Sequence, residues 1–402
     1  MTTDGRLLTR VVLRNYKSIP ACDVSPPKLC FLVGPNGSGK SNFLDALRLV
    51  SDSLQHSLDH ALRDRGGTHE VRRRSSGHPT HFGIRLEFEI DDAMGHFAFE
   101  VGAMRNGGYR VQQEECRIVD AANEEHFYQI VNGEVRRSTF APSPPASAAR
   151  LYLLVASSYP PFRAVYEALS ALGFYNLNPQ AIRTPQPPDP GEILKRDGSN
   201  IASVVSHLAS QAPELKERVE DYLSAIVPGL ERVDFRNVGH LETLEFRQKV
   251  RGAKHAWRFY AGNMSDGTLR ALGVLVALLH AGANGSAPTR LVGIEEPEVA
   301  LHPAASEVLV DAIRDASERT QILVTSHSPD LLDHIGADTD LLLAVEAVNG
   351  ETRIEPLHET SRSALSERLF TPGELLRMDR LNPRGALFGS DPMQISLFGA
   401  AR

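Results

Sequence analysis

One octapeptide restricts the fold of this chain more than any other feature. Gly34-Pro35-Asn36-Gly37-Ser38-Gly39-Lys40-Ser41 has the spacing G-x-x-x-x-G-K-S, in which glycines let the backbone close around phosphate oxygens where side chains would collide. Such a loop works between a buried strand and a helix start, where backbone N–H groups and the helix N-terminus converge on one point. Both flanks are present. Residues 28–33 read as a short buried strand, and Phe43, Leu44, Leu47, Val50 and Leu54 recur at helical spacing. Lys40 is then placed to reach the β- and γ-phosphates of a nucleoside triphosphate, and the Ser41 hydroxyl to hold Mg²⁺.

The 402 residues suffice for one large domain or two medium ones. A formal net charge of −7 excludes a global basic field, though not a local basic face. Cys22, Cys30 and Cys116 are odd in number and form no C-x-x-C pair. They suit neither a disulfide framework nor a zinc site, and free thiols point to a reducing compartment. The first residues lack the apolar segment of a signal peptide, and the longest apolar run, 271–279, is too short to span a bilayer. The expectation is a cytoplasmic protein with no membrane contact.

Alternating apolar and polar residues predict a first strand over 7–18 and a second over 21–24. Further strands are expected over 81–90, 96–101, 109–119 and 127–131, with Asn106-Gly107-Gly108 and Asn132-Gly133 as hairpin signals. These form an antiparallel meander. Proline-rich stretches at 141–145 and 184–190 read as linkers or loops. Helical periodicity over 162–172 and 199–226, broken at Pro213, predicts a helical lobe from about 141 to 235. Strands return over 230–238, 241–249 and 254–260. The expected segments are 1–140, 141–260, 261–358 and 359–402, without internal repeat or coiled-coil arm.

Three later motifs carry chemistry. Met264-Ser265-Asp266-Gly267-Thr268 opens a strongly apolar helix, giving a second anion-binding helix start. Leu291-Val292-Gly293-Ile294-Glu295-Glu296 is a buried strand ending in two carboxylates, a position from which acids hold Mg²⁺ and polarise a water. Residues 321–325 form another buried strand, followed by Ser326-His327-Ser328-Pro329, which places an imidazole just past a strand end.

In that order, with Ala300-Leu301-His302-Pro303 between acids and histidine, the motifs resemble the ABC-type ATPases of the RecF/SMC group. The likeness is to their short, arm-less AAA-type relatives and covers roughly residues 6 to 335. It implies an α/β fold, a P-loop NTPase of ABC/RecF type, with a mixed central sheet, an antiparallel β meander and a helical lobe. By the same resemblance Asn36, Gly37, Ser38, Gly39, Lys40 and Ser41 form Walker A, and residues 265–268 the signature. Glu295-Glu296 is Walker B, residues 300–303 the D-loop, and His327 the switch histidine. Glu295 stands where aspartate is usual and would hold Mg²⁺ through water; Glu296 would be the general base. Asp266 stands where glycine is usual and would turn away or serve the helix start. The family's Mg²⁺-contacting glutamine is Gln112, Gln113 or Gln129. The resemblance also implies that Ser265 and Gly267 complete the site of a second copy, sandwiching two ATPs in a homodimer that hydrolysis reopens.

Too few residues follow His327 for the Toprim nuclease of some relatives, and no other hydrolytic constellation occurs. Two function classes remain. One is a RecF-like genome-maintenance ATPase that clamps DNA, with Arg63, Arg65 and Arg72-Arg73-Arg74 as phosphate contacts; the alternative for that run is a solvated basic loop balanced by nearby acids. The other is the ATPase subunit of a defence or toxin–antitoxin system controlling a separate effector protein. A membrane-transporter cassette fits the motif variants less well. Past a short helix at 371–376, Pro/Gly pairs predict an extended, poorly packed tail. Its Gln394-Ile395-Ser396-Leu397-Phe398 resembles the peptide that replication and repair proteins insert into the sliding clamp; the alternative is a tail packed on its own core.

Overall fold

The structure, a computed structural model, describes residues 5–74, 80–104, 108–141, 143–281, 289–336, 338–385 and 396–398. The chain divides into two compact units, one of Met1–Leu172, Asp338–Leu369 and Met378–Arg402, the other of Gly173–Ala337 and Phe370–Arg377. Neither is continuous in sequence. The units therefore differ from the four consecutive segments expected, and the helix Pro160–Ser170 lies in the first unit while Ile201–Gln211 and Pro213–Ile226 lie in the second.

The first unit opens with strands β1 (Leu8–Tyr16), β2 (Ile19–Val24) and β3 (Leu29–Val33), then the helix Lys40–Gln55. The meander follows as β4 (His81–Ile90), β5 (Ala93–Ala103), β6 (Tyr109–Val119), β7 (Glu125–Val131) and β8 (Glu134–Ser138). It makes a seven-stranded antiparallel sheet in the order β2-β1-β4-β5-β6-β7-β8. Phe82, Ile84, Leu86 and Phe88 alternate along β4 and are buried, as are Phe97 and Phe99 of β5, which is what period-two burial requires. Asn132 and Gly133, both at positive φ, close the two-residue turn from β7 to β8. The short β8 was absent from the expectation because Glu134-Val135-Arg136-Arg137-Ser138 carries almost no apolar signal. Residues 105–107, which include Asn106-Gly107, lie outside the described residues.

Within this sheet Glu114 is fully buried and accepts hydrogen bonds from Tyr128 Oη (2.7 Å), Tyr152 N (2.6 Å) and Leu153 N (2.8 Å). Burial pushes its carboxyl up to about 7 against the pull of these donors. A carboxyl raised on folding keeps a proton that the unfolded chain has lost. Stability should therefore fall as pH rises from about 4.5 to about 7, by up to roughly 3 kcal/mol, and level off above. Thermal melts across that window should show the slope, and Glu114→Gln should flatten it; an identical slope in the variant would assign it to other groups.

The second unit holds β9 (Gly173–Tyr175), β10 (Leu230–Val238), β11 (Leu241–Gln248), β12 (Trp257–Tyr260), β13 (Leu291–Glu295) and β14 (Gln321–Ser326). Strands β9 and β14 flank β13 in parallel, with Val292 opposite Gly173 and Leu291 opposite Gln321. Strands β10, β11 and β12 form a separate antiparallel sheet. The helix Asp266–His280 is buried along nearly its whole length, which explains its apolar character all round.

The chain then returns to the first unit. β15 (Leu342–Val348) pairs in parallel with β3, Leu342 opposite Phe31, and β16 (Glu351–Pro356) pairs back on it across the turn Asn349-Gly350. Of the tail expected to be extended, residues 386–395 and 399–402 lie outside the described residues, but the stretch up to 385 is packed. Leu357 bridges to Pro383, Ser361 Oγ donates to Arg380 O (2.8 Å), Gly385 N donates to Glu355 Oε2 (2.6 Å), and Leu381 is buried.

The sliding-clamp expectation also meets a correction. Gln394 and Ile395 lie outside the described residues, but Leu397 is 1 % exposed. Its Cδ1 sits where a side chain on Gly83 would stand, and Arg85 Nη1 donates to Leu397 O at 3.0 Å. Leu397 is thus core of the meander in this structure and not a free anchor. Among the described residues, no helix is long and apolar enough to cross a membrane.

Candidate active site

The predicted residues fall in both units: Asn36 to Ser41 in the first, and Ser265, Gly267, Glu295, Glu296 and His327 in the second. In the first unit all five residues of β3 are buried, so the chain leaves the sheet at Gly34 with no freedom to drift. A side chain at Gly34 would stand 2.0 Å from Val345 O. Gly37 and Gly39 hold φ of 77° and 101°, which side-chain-bearing residues rarely adopt. Around the Cβ position of Gly37 there is nothing within 4 Å. No side chain caps the helix start at Gly39, which leaves N–H groups for an anion.

Two polar groups in the loop point to the ligand it suits. Lys40 is buried, and its Nζ donates to Gly34 O (2.8 Å) and Pro35 O (2.9 Å), folded across the cradle. Ser38 Oγ is buried without a hydrogen-bond partner. A retracted ammonium, an orphaned hydroxyl and an uncapped helix start fit a triphosphate, and the exposed Ser41 hydroxyl is the hard oxygen donor that Mg²⁺ prefers.

The loop rests on a relay that the sequence did not reveal. Asn42 Nδ2 donates to Ser18 Oγ (2.6 Å), which lies 2.7 Å from Thr352 Oγ1, which donates to Ser38 O (2.8 Å). Thr352 is buried on β16, and its Oγ1 would stand 2.0 Å from a side chain on Gly39.

The basic stretch behind the loop is mostly paired. Arg65 is nearly buried and reaches Asp45 (3.0 Å) and Asp52 (2.8 Å); Arg63 pairs with Asp59 (2.9 Å), Arg73 with Glu351 and Arg74 with Glu70. Burial works to raise the Asp45 carboxyl, but Arg65, Lys17 and Arg48 together hold it down at about 2. Arg65 is therefore a structural cation and not a phosphate contact, a correction that follows from its burial. Gln112, Gln113 and Gln129 stay on the meander; Gln129 Nε2 lies 3.4 Å from Glu115 Oε2. Among the described residues, no hydrogen bond joins any of the three to the phosphate loop.

In the second unit β13 delivers both acids. Glu295 ends the strand, and Arg196 Nη2 holds its Oε1 at 2.8 Å. Glu296 turns out of the strand with φ 45°, its N–H bonded to Thr325 O at 3.0 Å. Its Oε1 lies 3.1 Å from His327 Nδ1, with both side chains about one-third exposed, close enough for charge contact although the ring nitrogen is not aligned as a hydrogen-bond donor. Acid and imidazole predicted from separate motifs are thus neighbours.

Two residues missed in the sequence organise this pair. Arg270, buried in the helix Asp266–His280, donates to Leu177 O (2.7 Å), Glu295 O (3.2 Å) and Glu296 O (2.9 Å). Burial lowers its pKa, and the nearby carboxylates of Glu298, Glu296 and Glu295 oppose that shift. Glu298 is buried; its Oε1 accepts from Ser326 Oγ (2.6 Å), and its Oε2 has no partner. One signal was available: Arg270 is the single charge within an otherwise apolar helical run.

At the signature, Ser265 Oγ caps the helix by accepting from Thr268 N (3.2 Å). A side chain at Gly267 would stand 2.5 Å from Ala300 O, so the helix start packs directly on the predicted D-loop. Asp266 pairs with Arg183 at 2.5 Å, an ion pair the sequence did not suggest.

Residues 29–333 match the family described as "AAA domain, putative AbiEii toxin, Type IV TA system". A stretch of 44 residues is 43% identical to the DNA replication and repair protein RecF of Vibrio vulnificus, covering 11% of this chain and 12% of that protein. The chain thus aligns with only about an eighth of this curated relative. Two solved structures share the fold at low identity. An Smc head bound to the C-winged helix domain of ScpA has 14% identity and a TM-score of 0.52, covering 88% of this chain and 99% of that one. The Smc head of Pyrococcus furiosus, with an extended coiled coil and bound to the C-terminal domain of ScpA, has 12% identity and a TM-score of 0.52, covering 90% and 99%.

Proposed function

This chain belongs to that AAA-domain family and has the fold of RecF- and SMC-like ABC ATPases, and from this premise we propose that it is an ATP-hydrolysing switch working on DNA. The observation that carries the reading is the phosphate loop, where Lys40 is retracted onto Gly34 and Pro35 and Ser38 Oγ waits without a partner. On binding, Lys40 exchanges the two carbonyls for phosphate oxygens, and the open N–H groups of the helix start take others. Mg²⁺, when bound, neutralises phosphate charge, and Ser41 with Glu295 would hold it. Glu296 Oε1 accepts the proton of the attacking water, and His327, with Nδ1 3.1 Å from that oxygen, is the switch histidine placed to touch the γ-phosphate. Ser265 and Gly267 serve the nucleotide of a second copy, so that ATP closes a homodimer and hydrolysis releases it.

A second reading has a specific basis in the family's description: an ATPase component of a toxin–antitoxin or defence pair, switching a separate effector. Phosphate release from ATP, measured alone and with single- or double-stranded DNA at two salt concentrations, separates the readings. The first expects turnover that DNA raises and salt weakens; the second expects turnover indifferent to DNA. A protein that neither binds nor hydrolyses ATP overturns both.

A further inference from the structure

The basic run behind the phosphate loop is largely spoken for by acids; a second basic surface in the other unit is only partly so, with Arg247 on Asp234 and Lys249 on Glu231 at 2.7 Å but other cations left over. Between residues 247 and 258 the sequence is Arg-Gln-Lys-Val-Arg-Gly-Ala-Lys-His-Ala-Trp-Arg, with five cations and no acid in a chain of net charge −7. Structurally this is the hairpin joining β11 to β12.

Cross-strand partners share a sheet face, so the register fixes what this hairpin presents. Arg232 is opposite Arg247, and Arg247 opposite Arg258, making a row of three arginines across all three strands. The next row on the same face is Asp234, Glu245 and Tyr260, and Arg236 follows. Like charges placed directly opposite one another are unfavourable in a sheet. Here only two carboxylates serve four guanidiniums, Asp234 with Arg247 at 3.2 Å and Glu245 with Arg236 at 3.1 Å, while Arg232 and Arg258 stand off at 3.7 and 3.9 Å. The outermost arginine, Arg258, is 64% exposed. In the hairpin itself Arg251 and Lys254 are exposed and have no ion-pair partner among the described residues. Tyr260, on the arginine face, is 51% exposed, and Trp257 at the start of β12 is 55% exposed.

A surplus of exposed, mutually repelling cations beside open aromatic rings is complementary to a polyanion whose units also stack. We propose that the β11–β12 hairpin and the arginine face of β10–β12 form the surface that holds the phosphodiester backbone of DNA. Arg251, Lys254 and Arg258 contact phosphates, and Tyr260 offers a stacking platform. This rests on the DNA reading given above and replaces Arg63, Arg65 and Arg72 to Arg74 as its seat. The location has a functional corollary. From Tyr260 the chain passes through the short helix Ala261–Asn263 directly to Ser265. An occupant of this face therefore bears on the signature start.

Fluorescence anisotropy with the full chain, using a labelled DNA single strand and a duplex at about 50 and about 200 mM salt, tests the surface. The triple charge reversal Arg251→Glu, Lys254→Glu, Arg258→Glu should weaken binding at least about tenfold and flatten the logarithmic salt slope by about 2 to 3. Its melting temperature and its ATP turnover without DNA should stay unchanged, because all three side chains are exposed and stand apart from the catalytic residues. Tyr260→Ser should weaken the single strand more than the duplex. If the wild-type chain binds DNA and the triple variant binds equally with the same slope, the surface is wrong while the DNA reading stands. If the wild-type chain binds neither DNA, both fall.

Discussion

Replacing Glu296 with glutamine is expected to lower ATP turnover by a factor of about 10² to 10⁴, the usual contribution of a positioned general base, with nucleotide affinity nearly unchanged. The substitution keeps the size and hydrogen-bonding reach of the side chain and removes only its capacity to take a proton. The partners of the loop in its own unit are of another kind: Lys40 Nζ donates to Gly34 O and Pro35 O, and Thr352 Oγ1 to Ser38 O. Binding and turnover should therefore separate, which a fluorescent nucleotide titration beside a phosphate-release assay will show. In the proposed cycle the variant should also accumulate as an ATP-bound dimer, visible by light scattering. Turnover within about threefold of wild type would remove Glu296 from the role of base.

Arg270→Leu is expected to act on the same chemistry without touching substrate. Its guanidinium joins three backbone carbonyls, at Leu177, Glu295 and Glu296, from a buried position. Leucine fills the space but leaves those acceptors bare, at a cost of about 2 to 4 kcal/mol in stability. Glu296 stands at φ 45°, a conformation that persists only where its surroundings hold it. Its carboxylate should lose alignment with the attacking water, and turnover should fall at least about tenfold even where the protein remains folded. Arg270→Lys keeps the charge but offers one nitrogen in place of a planar fork. It should recover part of the stability, read by urea melts, with little of the turnover. If lysine restores both equally, charge alone is what the position requires.

The local parts of this molecule were legible in the sequence. The phosphate loop, the strand Tyr109–Val119, the acidic strand Leu291–Glu295 and the turns at Asn132-Gly133 and Asn349-Gly350 each depend on neighbours in the chain, and each is found as expected. What escaped depends on partners far apart in sequence. Thr352 reaches Ser38 across 314 positions, Arg270 reaches Glu296 across 26, and Glu298 reaches Ser326 across 28. Charge patterns misled for the same reason. Arg65 looked like part of a basic run, yet its fate was set by Asp45 and Asp52 on the helix Lys40–Gln55. Leu397 looked free because Pro and Gly dominate the residues before it, but Gly83, a residue without a side chain, left a place for it.

The support of Ser38 by Thr352 and of Gly34 by Val345 has a consequence for how the protein comes into being. A ribosome delivers the phosphate-loop octapeptide well before the residues that support it. The strand pair that forms its floor, β15 and β16, follows every other described strand, and until then β3 lacks its parallel neighbour β15. A growing chain therefore carries the motif long before it has a rigid cradle. In the proposed function, nucleotide capture would come late in biosynthesis, in chains that have already produced the acidic strand and the signature helix.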